Sequence, residues 1–272
     1  LVAIAVILLG QALAFHDDPV HFNAFIAVLC FVCCMSLQIA VNLANDYFDD
    51  KNGIDNAARL GPVRGIQQGS LTSQQVFYGI MFTCLLATIT GLYLIILGGW
   101  IYVLLGVLSL AGVYLYSGGP KPIASIGLGE IAVFLYFGWL AVLGSYYLQT
   151  QVFASAVLVA ATEIGLLVAA IMLVNNIRDI DSDSAAGKFT LATRLGVTSS
   201  KRLYCALIIL PSLLLAIDAN QGVEMLVILP VQFFLCVNIF NRTGAQLNQQ
   251  LGQTSACVLL WAVIYSGLLL TT

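Results

Sequence analysis

The sequence predicts an all-α, polytopic membrane protein of about nine transmembrane helices, and three observations predict it. Of the 272 residues, 60% are hydrophobic and only 8% charged, where a soluble domain carries about 25% charged residues. The apolar residues fall in repeated runs separated by short polar breaks, most of them near the roughly 20 residues that about 30 Å of hydrocarbon requires. The basic residues also sort by position. Lys51, Arg59, Arg64, Lys121, Arg178, Lys188, Arg194, Lys201, Arg202 and Arg242 all fall in alternate connections between those runs.

The first run, 1–15, is short for a span and starts at Leu1 rather than Met, so residues before it are expected. It lacks the basic stretch and small-residue cleavage site of a signal peptide. The second, 22–48, carries Cys30, Cys33 and Cys34 and ends in a polar cluster. The third and fourth, 75–98 and 100–116, meet at Gly98 and Gly99 and are the least separated pair. The remaining runs are 125–148, 152–177, 202–217, 223–240 and 253–271. With nine spans, the connections 16–21, 98–99, 149–151 and 218–222 hold no Lys or Arg. By the positive-inside rule the basic side is cytoplasmic, the N-terminus inside and the C-terminus outside. A net charge of −3 argues against nucleic-acid binding. All seven cysteines sit in apolar runs; Cys30, Cys33 and Cys34 lack a partner CxxC or a nearby His, and all read as packing thiols.

Most of the charge is gathered in two stretches. One is Asn42-Leu-Ala-Asn45-Asp46-Tyr-Phe-Asp49-Asp50-Lys51-Asn-Gly53-Ile-Asp55, followed by Arg59-Leu-Gly-Pro-Val-Arg64. The other is Asn175-Asn176-Ile-Arg178-Asp179-Ile-Asp181-Ser-Asp183, followed by Gly187-Lys188 and Arg194. Each ends an apolar run on the basic side in the order Asn, clustered Asp, Gly, then Arg or Lys. The likeness suggests an internal duplication whose copies face each other. If the helical turn continues, Asn42, Asn45, Asp46 and Asp49 share one face, as do Asn175, Asn176, Asp179 and Asp183. Carboxylates that close repel unless a cation joins them. Oxygen ligands without His or clustered Cys point to Mg²⁺, which binds one or two carboxylates together with phosphate oxygens. The downstream Arg and Lys would meet the same phosphates. The alternative for each stretch is an ordinary solvated loop, with Asp50 and Asp181 facing water and Lys201 and Arg202 as topology anchors.

A third basic-side connection reads Tyr114-Leu-Tyr116-Ser-Gly-Gly-Pro120-Lys121-Pro122, with Gly127-Leu-Gly-Glu130 opening the next run. Its glycines and prolines set a tight turn, and Lys121 either reaches toward a diphosphate or sets topology. Glu130 and Glu163 lie in or beside apolar spans, where an acid is expensive and a functional candidate, with a hydrogen-bonded structural role open for Glu163.

With Asn45-Asp46-Tyr-Phe-Asp49, Gly53, Asp55, Arg59-Leu-Gly-Pro-Val-Arg64, Asn175-Asn176-Ile-Arg178-Asp179, Asp183 and Thr190-Leu-Ala-Thr-Arg194-Leu-Gly196, the sequence resembles the UbiA-type superfamily of intramembrane aromatic prenyltransferases. Within it the chain most resembles the bacterial branch that prenylates 1,4-dihydroxy-2-naphthoate for menaquinone synthesis. The wider family spaces acids at four-residue steps after the Asn-Asp pair. Here Gly53 takes the last step and Asp55 follows two residues later, as in the naphthoate branch.

The resemblance implies a single domain over residues 1–272, its helices bundled around a central cavity in the bacterial inner membrane. It further implies Mg²⁺ as cofactor, and polyprenyl diphosphate, an aromatic acid and the lipid bilayer as partners. Asp46, Asp49, Asp55, Asp179 and Asp183 would hold metal, with Lys121 among the catalytic groups. Asn45, Arg59, Arg64, Lys121, Asn175, Asn176, Arg178 and Lys188 would bind the diphosphate, and Tyr114 and Tyr116 would stabilise an allylic cation. Two rivals stand beside this reading: the same chemistry on another acceptor such as 4-hydroxybenzoate, and a secondary transporter, whose site would lie nearer the bilayer midplane.

Overall fold

A computed structural model describes residues 1–51, 60–62, 64–217 and 223–271. Its described residues form helices and loops, with no strand among them. The helices are α1 (Val2–Asp17), α2 (Ala24–Lys51), α3 (Ser73–Gly98), α4 (Trp100–Leu115), α5 (Gly129–Thr150), α6 (Ser155–Arg178), α7 (Ile180–Ala185), α8 (Leu191–Ile217), α9 (Leu229–Asn241) and α10 (Leu247–Leu269). Among the described residues, seven helical segments are long and apolar enough to cross a membrane, and α1 and α4 are shorter apolar helices. The protein is a multi-pass membrane protein, and each of the nine apolar runs forms its own helix.

α6 is the pillar of the bundle. Apart from Thr162 and Glu163 it is apolar or small from Ala156 to Val174, so it has no polar face to turn outward and buries itself among α1, α5, α8 and α10. Where α5 crosses it, Gly138 meets Gly165, and a Cβ on Gly138 would stand 2.7 Å from the Gly165 Cα. Small residues at a crossing let two backbones approach, which is how helices associate where lipid removes the hydrophobic drive. The middle of α5, Phe134–Leu143, is π-helical.

Local chemistry sets the ends. Thr72 and Gln75 form a capping box before α3: the Gln75 N–H donates to Thr72 Oγ1 at 3.2 Å, and the Thr72 N–H donates to Gln75 Oε1 at 2.8 Å. Gly99, at φ +74°, ends α3 and turns the chain directly into α4. Three starts differ most from the sequence reading, among them α10, which opens at Leu247 where the apolar run begins at 253. α8 begins at Leu191, eleven residues before the apolar run, because its first turns are amphipathic; the backbone breaks inside it at Gly196 (φ 75°, ψ 165°). The eighth run opens with a 3-10 segment, Val223–Ile228, and becomes α-helical only at Leu229 with Pro230 in its first turn.

Candidate active site

The first polar motif lies on α2, which stays helical through Lys51, so residues three and four apart line up as their spacing requires. Arg64, beyond the first loop, turns back onto that face. Its Nη1 donates to the Asn45 carbonyl at 3.1 Å and to Asp49 Oδ2 at 3.0 Å, and its Nε lies 2.9 Å from Asp46 Oδ1. The second motif ends α6. The helix breaks at Asp179 (φ −97°, ψ 10°) and restarts as α7, where the Asp183 N–H donates to the Asp179 carbonyl at 2.8 Å. Buried Arg178 donates from Nε to Asp179 Oδ1 at 2.8 Å and from Nη2 to Asp179 Oδ2 at 2.5 Å. It also donates to Asn175 Oδ1 at 2.7 Å and Asn248 Oδ1 at 2.8 Å.

Lys188 joins the two motifs. Its Nζ lies 3.6 Å from Asp49 Oδ1 on α2 and 3.7 Å from Asp183 Oδ1 on α7, so the two acid-rich helix ends face each other across one ammonium group. Around this contact is a polar cavity of about 110 Å³, lined by Asn45, Asp49 and Arg64 from one side and by Asn175, Asn176, Asp179, Asp183 and Lys188 from the other. Burial pushes the Asp183 carboxyl up to about 6; Lys188 opposes the rise, and Asp179 and Asp49 add to it. An acid so placed gains from any further cation that joins it.

Asn45, Tyr116, Met172 and Asn175 also line a second, apolar cavity of about 570 Å³. Along α2 this cavity reaches from Asn45 to Cys30, about 22 Å at 1.5 Å per residue. A polar mouth thus continues into a long apolar chamber, and Tyr116 stands at the junction with its hydroxyl donating to Met172 Sδ at 3.2 Å.

Other sequence candidates lie elsewhere. Lys121 is exposed and lines neither cavity. Tyr114 also lines neither; half exposed, it packs edge-on against Phe48 with ring centroids 5.5 Å apart. Arg59, Gly53 and Asp55 lie outside the described residues. Among the described residues no three acid, imidazole or thiol groups stand close enough to hold a metal by themselves. Asp46, Asp49, Asp179 and Asp183 are instead each met by Arg64, Arg178 or Lys188. The donor set at the mouth is nonetheless all oxygen, which suits Mg²⁺ arriving with phosphate oxygens of its own.

A model of the UbiA prenyltransferase family matches residues 3–250. The chain belongs to the UbiA prenyltransferase family. A 1,4-dihydroxy-2-naphthoate octaprenyltransferase of Haemophilus influenzae is 34% identical over 98% of this chain and 92% of its own length. One of Escherichia coli strain K12 is 40% identical over 76% of this chain and 68% of its own. Among solved structures, the apo UbiA homolog of Aeropyrum pernix K1 superposes with a TM-score of 0.73 at 16% identity, covering 99% of this chain and 97% of that one. A UbiA homolog of Archaeoglobus fulgidus bound to DMAPP and Mg²⁺ superposes at 0.64 with 17% identity, covering 96% and 95%. At such identities the superpositions show a shared fold.

Within this UbiA fold, two site contacts escape sequence reasoning. Asn248, at the start of α10, accepts from Arg178 and donates from Nδ2 to the Leu60 carbonyl at 2.8 Å, tying the second motif to the first loop. Glu130 stands out as a buried acid, but its partner, Asn176 Nδ2 at 2.8 Å, is 46 residues away in the chain. The third connection is strapped to the second motif: the Phe189 N–H donates to the Ser125 carbonyl at 2.9 Å, and Arg194 Nη2 donates to the Ile126 carbonyl at 2.9 Å. Gly127 permits this strap, since it sits at φ +80° and a Cβ there would stand 2.8 Å from the Phe189 carbonyl oxygen.

Proposed function

We propose that this chain transfers a polyprenyl group from its diphosphate to 1,4-dihydroxy-2-naphthoate, with Mg²⁺ as cofactor and loss of carbon dioxide, giving the demethylmenaquinone skeleton. The observation that carries the reading is Lys188 bridging Asp49 and Asp183 at the mouth of an apolar chamber. One end of the joined cavity suits an anionic head with its cation, and the other suits a hydrocarbon chain. The names of the Haemophilus influenzae and Escherichia coli relatives supply the acceptor. The Archaeoglobus fulgidus structure, with DMAPP and Mg²⁺ bound, supports the donor and the metal.

Magnesium bound with the diphosphate supplies positive charge against the leaving oxygens; Asp49, Asp179 and Asp183, with Asp46 beside them, are the residues that would hold it. Arg64 and Lys188 exchange their carboxylate partners for diphosphate oxygens and meet the charge that develops as the allylic C–O bond breaks. The apolar chamber keeps water from the allylic cation. Tyr116, at the junction of the two cavities, presents a ring to it. The carboxyl-bearing ring carbon forms the new C–C bond, and loss of the carboxylate as carbon dioxide returns the electron pair to the ring. The positive-inside distribution supports a mouth on the cytoplasmic face of a bacterial inner membrane, with the N-terminus inside and the C-terminus outside.

Incubating the purified protein with a polyprenyl diphosphate, Mg²⁺ and 1,4-dihydroxy-2-naphthoate, 4-hydroxybenzoate or homogentisate in turn tests the reading. Prenylated naphthoate with release of carbon dioxide is expected. Product from another acid alone reassigns the acceptor, and no product from any of them sinks the enzyme reading and revives the transporter.

A further inference from the structure

Two adjacent asparagines close α6, and the groups behind them are of opposite kind. Arg178 Nη2 donates to Asn175 Oδ1 at 2.7 Å. A guanidinium has donors only, so Asn175 must give it the oxygen and turn its NH₂ group elsewhere. Glu130, 5% exposed at the start of α5, accepts from Asn176 Nδ2 at 2.8 Å. Facing the carboxylate of an ionised Glu130, Asn176 gives up its nitrogen and turns its oxygen elsewhere. Both asparagines line the polar cavity, and among the described residues neither Asn175 Nδ2 nor Asn176 Oδ1 is engaged by another protein group.

Only Arg178 has further side-chain partners among the described residues, since Glu130 Oε2 is buried without one. Arg178 is held by Asp179 and by Asn248 of α10, and Glu130 is carried on a different helix from the asparagine it holds. The pair therefore offers the cavity one donor and one acceptor from consecutive positions, in an order that neither side chain chooses for itself.

Resting on the prenyl diphosphate reading above, we propose that Arg178 and Glu130 set Asn175 and Asn176 in opposite senses, Asn175 presenting an amide donor to diphosphate oxygens and Asn176 a carbonyl oxygen to the accompanying Mg²⁺ or its water. Arg178 and Glu130 are positioning residues. A carbonyl oxygen turned toward a diphosphate would meet like charge, whereas hard cations take such oxygens readily. An aspartate at position 176 would set acid against Glu130; asparagine adds a ligand oxygen to the mouth without adding charge.

The test separates two titrations on the purified full chain in detergent: Mn²⁺ at saturating inorganic pyrophosphate, and pyrophosphate at saturating Mn²⁺. Melting temperature is followed for every variant. Asn176→Ala and Glu130→Leu should raise the Mn²⁺ half-saturation about ten-fold and the pyrophosphate half-saturation by less than about three-fold. Asn175→Ala should do the reverse. Glu130→Gln keeps an acceptor oxygen for Asn176, and its Mn²⁺ loss should stay under about three-fold.

Equal loss in both titrations for Asn175→Ala and Asn176→Ala, or no loss in either, overturns the assignment. If Glu130→Leu does not fold, the two asparagine variants still decide. Wild-type protein that binds no Mn²⁺–pyrophosphate overturns the prenyl diphosphate reading, and this assignment with it. Wild-type binding without the split overturns this assignment alone.

Discussion

Arg64, Arg178 and Lys188 each hold acids that the proposed chemistry needs for a different partner. Arg64 takes Asp46 and Asp49, Arg178 takes Asp179, and Lys188 stands between Asp49 and Asp183. These contacts keep clustered acids tolerable at the rim of an apolar chamber, because a buried acid without a counter-charge is expensive. Asp49→Ala leaves Lys188 its Asp183 contact and Arg64 its Asp46 contact. Asp179→Ala leaves Arg178 its bonds to Asn175 and Asn248. We expect each variant to retain a monodisperse, helical protein by size exclusion and circular dichroism, while prenyl transfer falls by roughly 10²–10³-fold. Full turnover under limiting Mg²⁺ in either would contradict the assigned roles. At this scale the sequence was informative about which residue types gather, since three- and four-residue spacing survives along any continuing helix. The partner of each was not legible: the Arg178–Asn248 contact spans 70 residues and the Glu130–Asn176 contact 46, and no local pattern encodes contacts at that range.

The helices were legible in number because the bilayer imposes a length on each apolar run, so even the pair meeting at Gly98 and Gly99 resolves into α3 and α4. Their ends were less legible. Apolarity marks the part of a helix that lies in hydrocarbon, not the amphipathic turns that extend beyond it, which is why α8 starts at Leu191 rather than at 202. Gly196 is the joint that lets those first turns take their own direction, and its φ of 75° with ψ of 165° lies where only glycine is at ease. Gly196→Ala should cost roughly 1–3 kcal/mol, read as a lower melting temperature in detergent. An unchanged melting temperature would show that the break is not held there.

Across the whole molecule, the two motifs act on each other through cations they share. A metal arriving alone meets acids already held by Arg64, Arg178 and Lys188, and a diphosphate arriving alone must draw Arg64 and Lys188 away from their acids. Together they exchange partners at no net loss of charge contacts. Mg²⁺ and pyrophosphate should therefore each raise the other's affinity, by about 5–150-fold if the coupling has ordinary size. Calorimetric titration of either in the presence and absence of the other measures this, and independent binding would remove the exchange from the mechanism. By itself the sequence determined the all-helical membrane architecture and the separation of its charge into two motifs, since the thickness of the bilayer and the cost of charge in hydrocarbon act on any chain of this composition. Only the tertiary structure decided that Lys121 and Tyr114 stand away from the cavities, while Lys188 reaches across to Asp49 and Asn248 and Glu130 come to the second motif. Those placements depend on how α2, α5, α6 and α10 lean on one another, which is settled by packing between residues far apart in the chain.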